Sequence, residues 1–236
     1  MRKIAGLALV SSLALALAAC GQSDAPAEGI EQAVEQVVGS PSPGAEEELG
    51  TFAPRDECLE LDGASNFRQR LALAIEARDA EGVGALAAPD VKLDFGGGAG
   101  RAELVRQLEE SDSPLWGKLD ELMALGCAAN GQAAVTIPWF FAQDTKVDPF
   151  LGMIATGEDV PLRESPDAVA VPVEQLNWDA VELVDSYDAG APYQRVKFGE
   201  ATGYVETRFL RSVVDYRIIA SSRNGKWRIT SFVAGD

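Results

Sequence analysis

The chain offers three thiols and no imidazole. Its 236 residues include Cys20, Cys58 and Cys127 but no histidine, so Ser-His-Asp and Cys-His nucleophiles and His-based zinc sites are excluded outright. A catalytic or metal-binding thiol fails for the same want of partners. Gly96-Gly97-Gly98-Ala99-Gly100-Arg101 lacks the third glycine of a dinucleotide fingerprint, and no Lys-Ser/Thr pair follows to make a phosphate loop; it reads as a turn. Glu60, Asp62 and Gly63 are spaced like part of a calcium loop, but the first ligand position would fall on Cys58 and the twelfth on Gln69, which removes that reading. No metal and no cofactor is expected. The chemistry left to explain is that of the cysteines.

Cys20 closes an export signal. Arg2 and Lys3 give a positive end, Ile4 to Ala19 form an apolar core interrupted by Gly6, Ser11 and Ser12, and small residues stand at Ala18 and Ala19. This stretch of sixteen residues falls short of the ~20 needed to span a bilayer as a helix, so a permanent spanning anchor is the weaker reading. Leu17-Ala18-Ala19-Cys20-Gly21 resembles the lipobox of bacterial lipoproteins. That resemblance implies a diacylglycerol on the Cys20 thiol, cleavage just before it, and acylation of the new amine. Several chains on one residue give a firm hold, since each buried methylene contributes ~0.8 kcal/mol and one chain alone binds marginally. Gly21 in place of Asp implies, again by resemblance, a lipid-anchored envelope protein at the outer membrane, facing the periplasm.

Export also places Cys58 and Cys127 in an oxidising compartment, where an even pair reads as a disulfide. Cleavage removes Arg2 and Lys3 but no acid, so the formal charge moves from −17 to −19. Phosphate binding needs the opposite sign, and general affinity for nucleic acid is therefore not expected. From Arg195 to Asp236 the balance reverses, with eight Lys or Arg against four Asp or Glu. These residues read either as the solvated side of strands or as a basic face toward anionic envelope polymers or lipid.

Residues 20–54 are expected to be an acidic, disordered tether. Positions 21–50 hold seven acids and no base together with Pro26, Pro41, Pro43, Gly39 and Gly44, a composition that buries too little apolar surface to offset ordering. As a coil they would hold the folded part on the order of 30 Å from the membrane. Ile30, Ala33, Val34, Val37 and Val38 share one helical face, but over too short a run for a stable isolated helix.

Beyond Arg55 the periodicity changes. Phe67, Leu71, Ala74 and Ile75 predict a helix capped by Ser65 or Asn66 and ending near Arg78. A short second helix to Ala88 should stop at Pro89-Asp90, and Val91, Leu93 and Phe95 alternate as in a half-buried strand. A third helix starts at Arg101, and Ser113-Pro114 opens a fourth with Leu115, Trp116, Leu119, Leu122 and Met123 as its buried stripe. Cys127 begins a strand, Asn130-Gly131 turns it, and the return strand runs through Val135 and Ile137 into Trp139-Phe140-Phe141. Tyr216–Ser222 and Trp227–Val233, joined by Arg223-Asn224-Gly225-Lys226, give the strongest hairpin signal. A hairpin alone is marginal in water, so it must join the strands near Val91 and Val135.

Helices followed by a curved antiparallel sheet and a hairpin ending in Trp-x-Ile-x-x-Phe resemble the nuclear-transport-factor-2-like cone, over residues 55–147 and 212–236. Between these pieces, residues 148–211 carry Val160-Pro161-Leu162-Arg163, Leu176, Val181, Leu183 and Val184, Tyr193-Gln194-Arg195-Val196, Thr202-Gly203-Tyr204-Val205 and Phe209-Leu210. In that order they resemble the bacterial SH3-type domain, a small barrel of about five strands, in which Gly203 bends the chain tightly. Asn177-Trp178-Asp179-Ala180 stands where that family usually has a glycine, and Tyr193 where it often has Trp. The expected class is thus α+β: helices packed on a curved antiparallel sheet, with an inserted small SH3-like β-barrel.

The SH3-type resemblance implies binding of cell-wall peptides or protein segments along an aromatic groove. Trp178, Tyr187, Tyr193 and Tyr204 are the candidates, each with a flat apolar face and the tyrosines with a polar tip. For any one of them core packing is the competing role, except Trp178, whose turn position predicts exposure. The expected function is a noncatalytic envelope module docking peptidoglycan or a protein partner. The alternative is a small-molecule binder or isomerase-like enzyme inside the cone. Such folds can work without histidine through an Asp base and a Tyr donor, and Asp94 with Tyr216 is the pair that could be nominated.

Overall fold

In the computed structural model, residues 50–131 and 133–235 are described. Cys20 and the stretches expected to be an export signal and a tether, through residue 49, lie outside the described residues. Among the described residues, four α-helices and two sheets are formed by these elements in chain order: α1 (Ala64–Glu76), α2 (Ala80–Leu86), β1 (Ala87–Lys92), α3 (Arg101–Leu108), α4 (Leu115–Met123), β2 (Ala128–Asn130) and β3 (Ala134–Ile137). Then come β4 (Gly152–Ala155), β5 (Val160–Arg163), β6 (Pro172–Leu176), β7 (Ala180–Leu183), β8 (Tyr193–Phe198), β9 (Ala201–Glu206), β10 (Leu210–Ser212), β11 (Arg217–Arg223) and β12 (Lys226–Val233).

The terminal hairpin forms as its turn residues require. Asn224 and Gly225 both take positive φ, 52° and 72°, in a two-residue loop between Arg223 and Lys226. The hairpin occupies the middle of a five-stranded sheet in the order β1-β12-β11-β3-β2, so its partners are the strands at Val91 and Val135. β1 lies parallel to β12 and the other pairs are antiparallel. The helices cover one face. Phe67 and Leu71 of α1, Leu104 of α3, Leu119 and Leu122 of α4, and Ile137, Ile218 and Ile229 of the sheet are almost wholly buried in one core.

Three local expectations fail for identifiable reasons. Helix α1 starts at Ala64, before Ser65 and Asn66, because Gly63 adopts φ 74° at the N-cap and its carbonyl accepts from the Phe67 amide. Pro89 and Asp90 lie inside β1 rather than beyond a helix end; β1 is an edge strand, where a residue without N–H is tolerated. Trp139–Ala142 is a helical turn and not the end of β3, since Pro138 has no amide to continue the ladder.

The second sheet has seven antiparallel strands in the order β10-β4-β7-β8-β9-β5-β6. The SH3-type resemblance implies about five strands closed into a barrel. The pairing is instead open, ending at β10 on one side and at the β5–β6 hairpin on the other. Its core is the apolar set anticipated from spacing, with Val160, Leu162, Leu176, Val181, Val196, Val205 and Leu210 all buried. Gly203 does not turn the chain. It lets β5 approach β9, since a Cβ there would stand 2.5 Å from the Arg163 carbonyl oxygen. Nor is the basic stretch uniformly solvated: Arg211 and Arg217 are buried, and the Arg217 guanidinium lies 4.3 Å from the Phe141 ring centroid.

Candidate functional site

A strap of residues 50–57 fastens the two sheets to each other. At its start the Phe52 amide donates to the Trp178 carbonyl oxygen at 2.9 Å, and Gly50 fits only because it has no Cβ, which would meet the Asn177 oxygen at 1.8 Å. Further on, the Cys127 amide donates to the Arg55 oxygen at 2.7 Å and the Glu57 amide donates to the Cys127 oxygen at 2.9 Å. The Glu57 carboxylate accepts from Trp139 Nε1 at 2.7 Å and from the Ala129 amide at 3.1 Å. Cys58 and Cys127 then close as a disulfide, with Cα atoms 5.8 Å apart. Because their sulfurs are joined, nearby Asp56 does not complete a thiolate metal site.

Under the strap, Phe52, Leu125, Trp139, Phe140, Ile154 and Val213 form a third core drawn from both sheets and the strap itself. Phe52 and Ala53, assigned to the tether from composition, are therefore part of the folded body. Trp178 belongs to this junction as well. It is half-buried with φ 53°, its amide donates to the Gly157 oxygen at 2.9 Å, and its ring packs on the third core. The expectation that its turn exposes it is corrected: the turn exists, but the strap covers it.

Next to the junction a cleft of about 740 Å³ opens between α4 and the seven-stranded sheet. Leu125, Met153, Leu183, Leu210 and Val214 supply its apolar lining; Thr156, Thr207 and Ser212 add hydroxyls. Phe150 and Tyr187 line it too and are 74% and 47% exposed, unusual for large apolar side chains. Among the described residues the Tyr187 hydroxyl has no hydrogen-bond partner.

One side of the cleft is a closed ring of charges. Lys118 Nζ lies 3.0 Å from Asp215 and 3.2 Å from Glu121; Arg211 Nη1 lies 2.7 Å from Glu121 and 3.2 Å from Asp215. Arg211 Nη2 also donates to the Tyr216 oxygen at 2.8 Å. The ring is neutral and joins α4 to the chain leaving β10. Burial disfavours the charged form of Lys118, but hydrogen bonds and attraction from Asp215 and Glu121 outweigh it and raise its pKa above the ordinary lysine value. The sign of the linkage follows. A raised folded-state pKa contributes stability in full below the unfolded lysine value near ~10.4, and loses it as pH rises through the folded value. Thermal unfolding measured from pH 9 to 12 should show this alkaline loss in the native chain, and Lys118→Met should remove that part of it. Identical alkaline profiles for the two proteins would contradict the ring's role.

The four aromatic candidates do not converge. Tyr187 lines the cleft and Trp178 packs in the junction. Tyr193 and Tyr204 are half-buried on β8 and β9, where the pairings Tyr193 with Glu206 and Arg195 with Tyr204 put both rings on the outer face of that hairpin. Sequence reasoning missed Phe150, Lys118, Arg208, Arg211 and Asp215; only the Phe150 exposure, at a turn beside Asp148, had any local signal. The nominated catalytic pair is also apart in role. The Asp94 carboxylate accepts from the Gly96 and Gly98 amides at 2.7 Å, holding the glycine turn, while the Tyr216 ring packs 4.9 Å from Phe232. Between helices and sheet lies the first core, against which Tyr216 packs.

No protein-family model and no curated protein matches the chain. Among solved structures, a five-substitution variant of a chain named Rd1NTF2_05 aligns at 12% identity over 74% of this chain and 97% of its own, with a TM-score of 0.29. An NTF2-like protein with a cystatin-like fold from Novosphingobium aromaticivorans aligns at 11% identity over 71% and 75%, with a TM-score of 0.26. The α+β class stated above rests on the strands and helices themselves.

Proposed function

We propose that this chain is a lipoprotein fixed through Cys20 to the outer membrane, and that its folded part is a noncatalytic module docking a peptide segment of an envelope partner in the cleft between α4 and the seven-stranded sheet. The cleft carries the reading. It joins an apolar floor to two exposed aromatic side chains and an unpartnered hydroxyl, the mixture that binding sites use to gain affinity and orientation together. Helices on a sheet with a central terminal hairpin support the NTF2-like assignment of residues 55–147 and 212–236. The ladder β10-β4-β7-β8-β9, with the helical turn Thr207–Phe209 between its last two strands in the chain, supports an SH3-like reading of residues 148–211.

The test is retention of the mature protein on isolated cell-wall sacculi and on an envelope extract immobilised after sacculi are removed. Phe150→Ala with Tyr187→Ala should lower thermal stability by no more than about 1 kcal/mol, because Phe150 is largely solvated and Tyr187 about half so, and should abolish retention on the extract. Retention unchanged by the double variant would remove the cleft as docking site. Retention on sacculi alone, lost in the variant, would move the partner from protein to peptidoglycan.

A further inference from the structure

We infer that the cleft takes the carboxy-terminal end of its partner polypeptide, with a large apolar last residue, an inference that rests on the docking role proposed above. Arg208 carries it. Its Nε donates to Glu206 at 2.7 Å and its guanidinium carbon stands 4.3 Å over the Phe209 ring, so one edge and one face are fixed. The two terminal nitrogens have no partner among the described residues, and the side chain is 70% exposed where it lines the cleft. A guanidinium held in this way presents a planar fork matched to the two oxygens of a carboxylate. The other two cations of the cleft, Lys118 and Arg211, each lie between two carboxylates, Glu121 and Asp215, whereas Arg208 is paired with one, Glu206, through Nε alone.

The apolar lining lies next to that fork. Met153, Leu183 and Leu210 are buried and face the same cleft, and Phe150 adds an exposed ring. A free chain terminus places a carboxylate one bond from the carbon that bears the last side chain, so one residue satisfies fork and floor together. A chain running through the cleft offers the fork only neutral carbonyls. A cell-wall stem peptide also ends in a carboxylate, but its small side chains would leave the floor unfilled, and unfilled apolar surface forfeits the burial that drives docking.

Fluorescence polarisation on the mature lipidated protein in detergent tests this with labelled hexapeptides ending in Leu, Phe, Ala or Glu, each as free acid and as carboxamide, beside a cell-wall tetrapeptide. The Leu and Phe acids should bind at least about tenfold tighter than their carboxamides, as a charge-assisted contact implies. Arg208→Gln should erase that difference and leave carboxamide affinity unchanged, whereas Phe150→Ala should weaken both forms. Equal binding of acid and carboxamide, with both weakened by Phe150→Ala, overturns carboxylate recognition while sparing the docking site. Binding indifferent to Phe150→Ala and Tyr187→Ala overturns the docking site itself. Failure of the Leu and Phe acids to bind, or preference for the Ala acid or the cell-wall tetrapeptide, overturns the inference.

Discussion

Replacing Cys58 and Cys127 together by alanine should lower the melting temperature by about 10 °C. The cross-link spans a sequence separation of 69 residues, and closing a loop of that length restricts the unfolded chain by about 4 kcal/mol in the chain-entropy account. For a domain of this size each 1 kcal/mol moves the midpoint by roughly 2–4 °C. Alanine is the right replacement, since both sulfurs are fully buried and serine would add the separate cost of an unsatisfied hydroxyl. The same bond fixes the strap, whose backbone pairs with Cys127 on both sides. Calorimetry of the oxidised protein and the double variant reads the effect. A midpoint unmoved to within a degree would show that the strap holds without its covalent clasp.

Phe140→Ala should cost about 3–5 kcal/mol, as expected for a large aromatic side chain removed from a well-packed site. Phe140 is 1% exposed and sits where strap, helical part and seven-stranded sheet meet. Its loss should therefore be felt throughout the described body and not in one sheet alone. In the native protein a single calorimetric transition is expected, and in the variant one transition at lower temperature. Two transitions in the native protein, with only the lower one shifted by Phe140→Ala, would show that the junction is a loose contact between independent halves.

The partner of Cys58 was legible in the sequence, since Cys127 completes an even pair in an oxidising compartment, whereas the partners of Phe140 were not. Elements defined by near neighbours were readable: the Asn224-Gly225 hairpin, α3 starting at Arg101, and the alternating core from Val160 to Leu210 each depend on local periodicity or turn chemistry. The marginal stability of an isolated hairpin was enough to foresee that the terminal strands pair with those at Val91 and Val135. The strap was not readable, because Gly50 to Arg55 follow an acidic stretch and owe their order to Trp178 and Cys127, far away in the chain. Trp178 failed for the same reason in reverse: an Asn-Trp-Asp turn predicts exposure until a distant segment covers it. The cleft draws on α4, the turn at Phe150, the loop at Tyr187 and the residues after β9, so no window of sequence contains it. The seven-stranded sheet was half legible, its apolar residues by alternation but its open ends not, since alternation fixes which face a residue takes and says nothing about which strands meet at an edge.

The proposed place of this protein rests on the thiol of Cys20, and the intact mass of the mature chain extracted from membranes is the measurement that bears on it most directly. The account predicts a chain that begins at Cys20 and is heavier than its sequence by a diacylglyceryl group on sulfur and a fatty acyl group on the new amine. A chain that retains Met1, or one that begins at an unmodified residue yet sediments with the membrane, would contradict it.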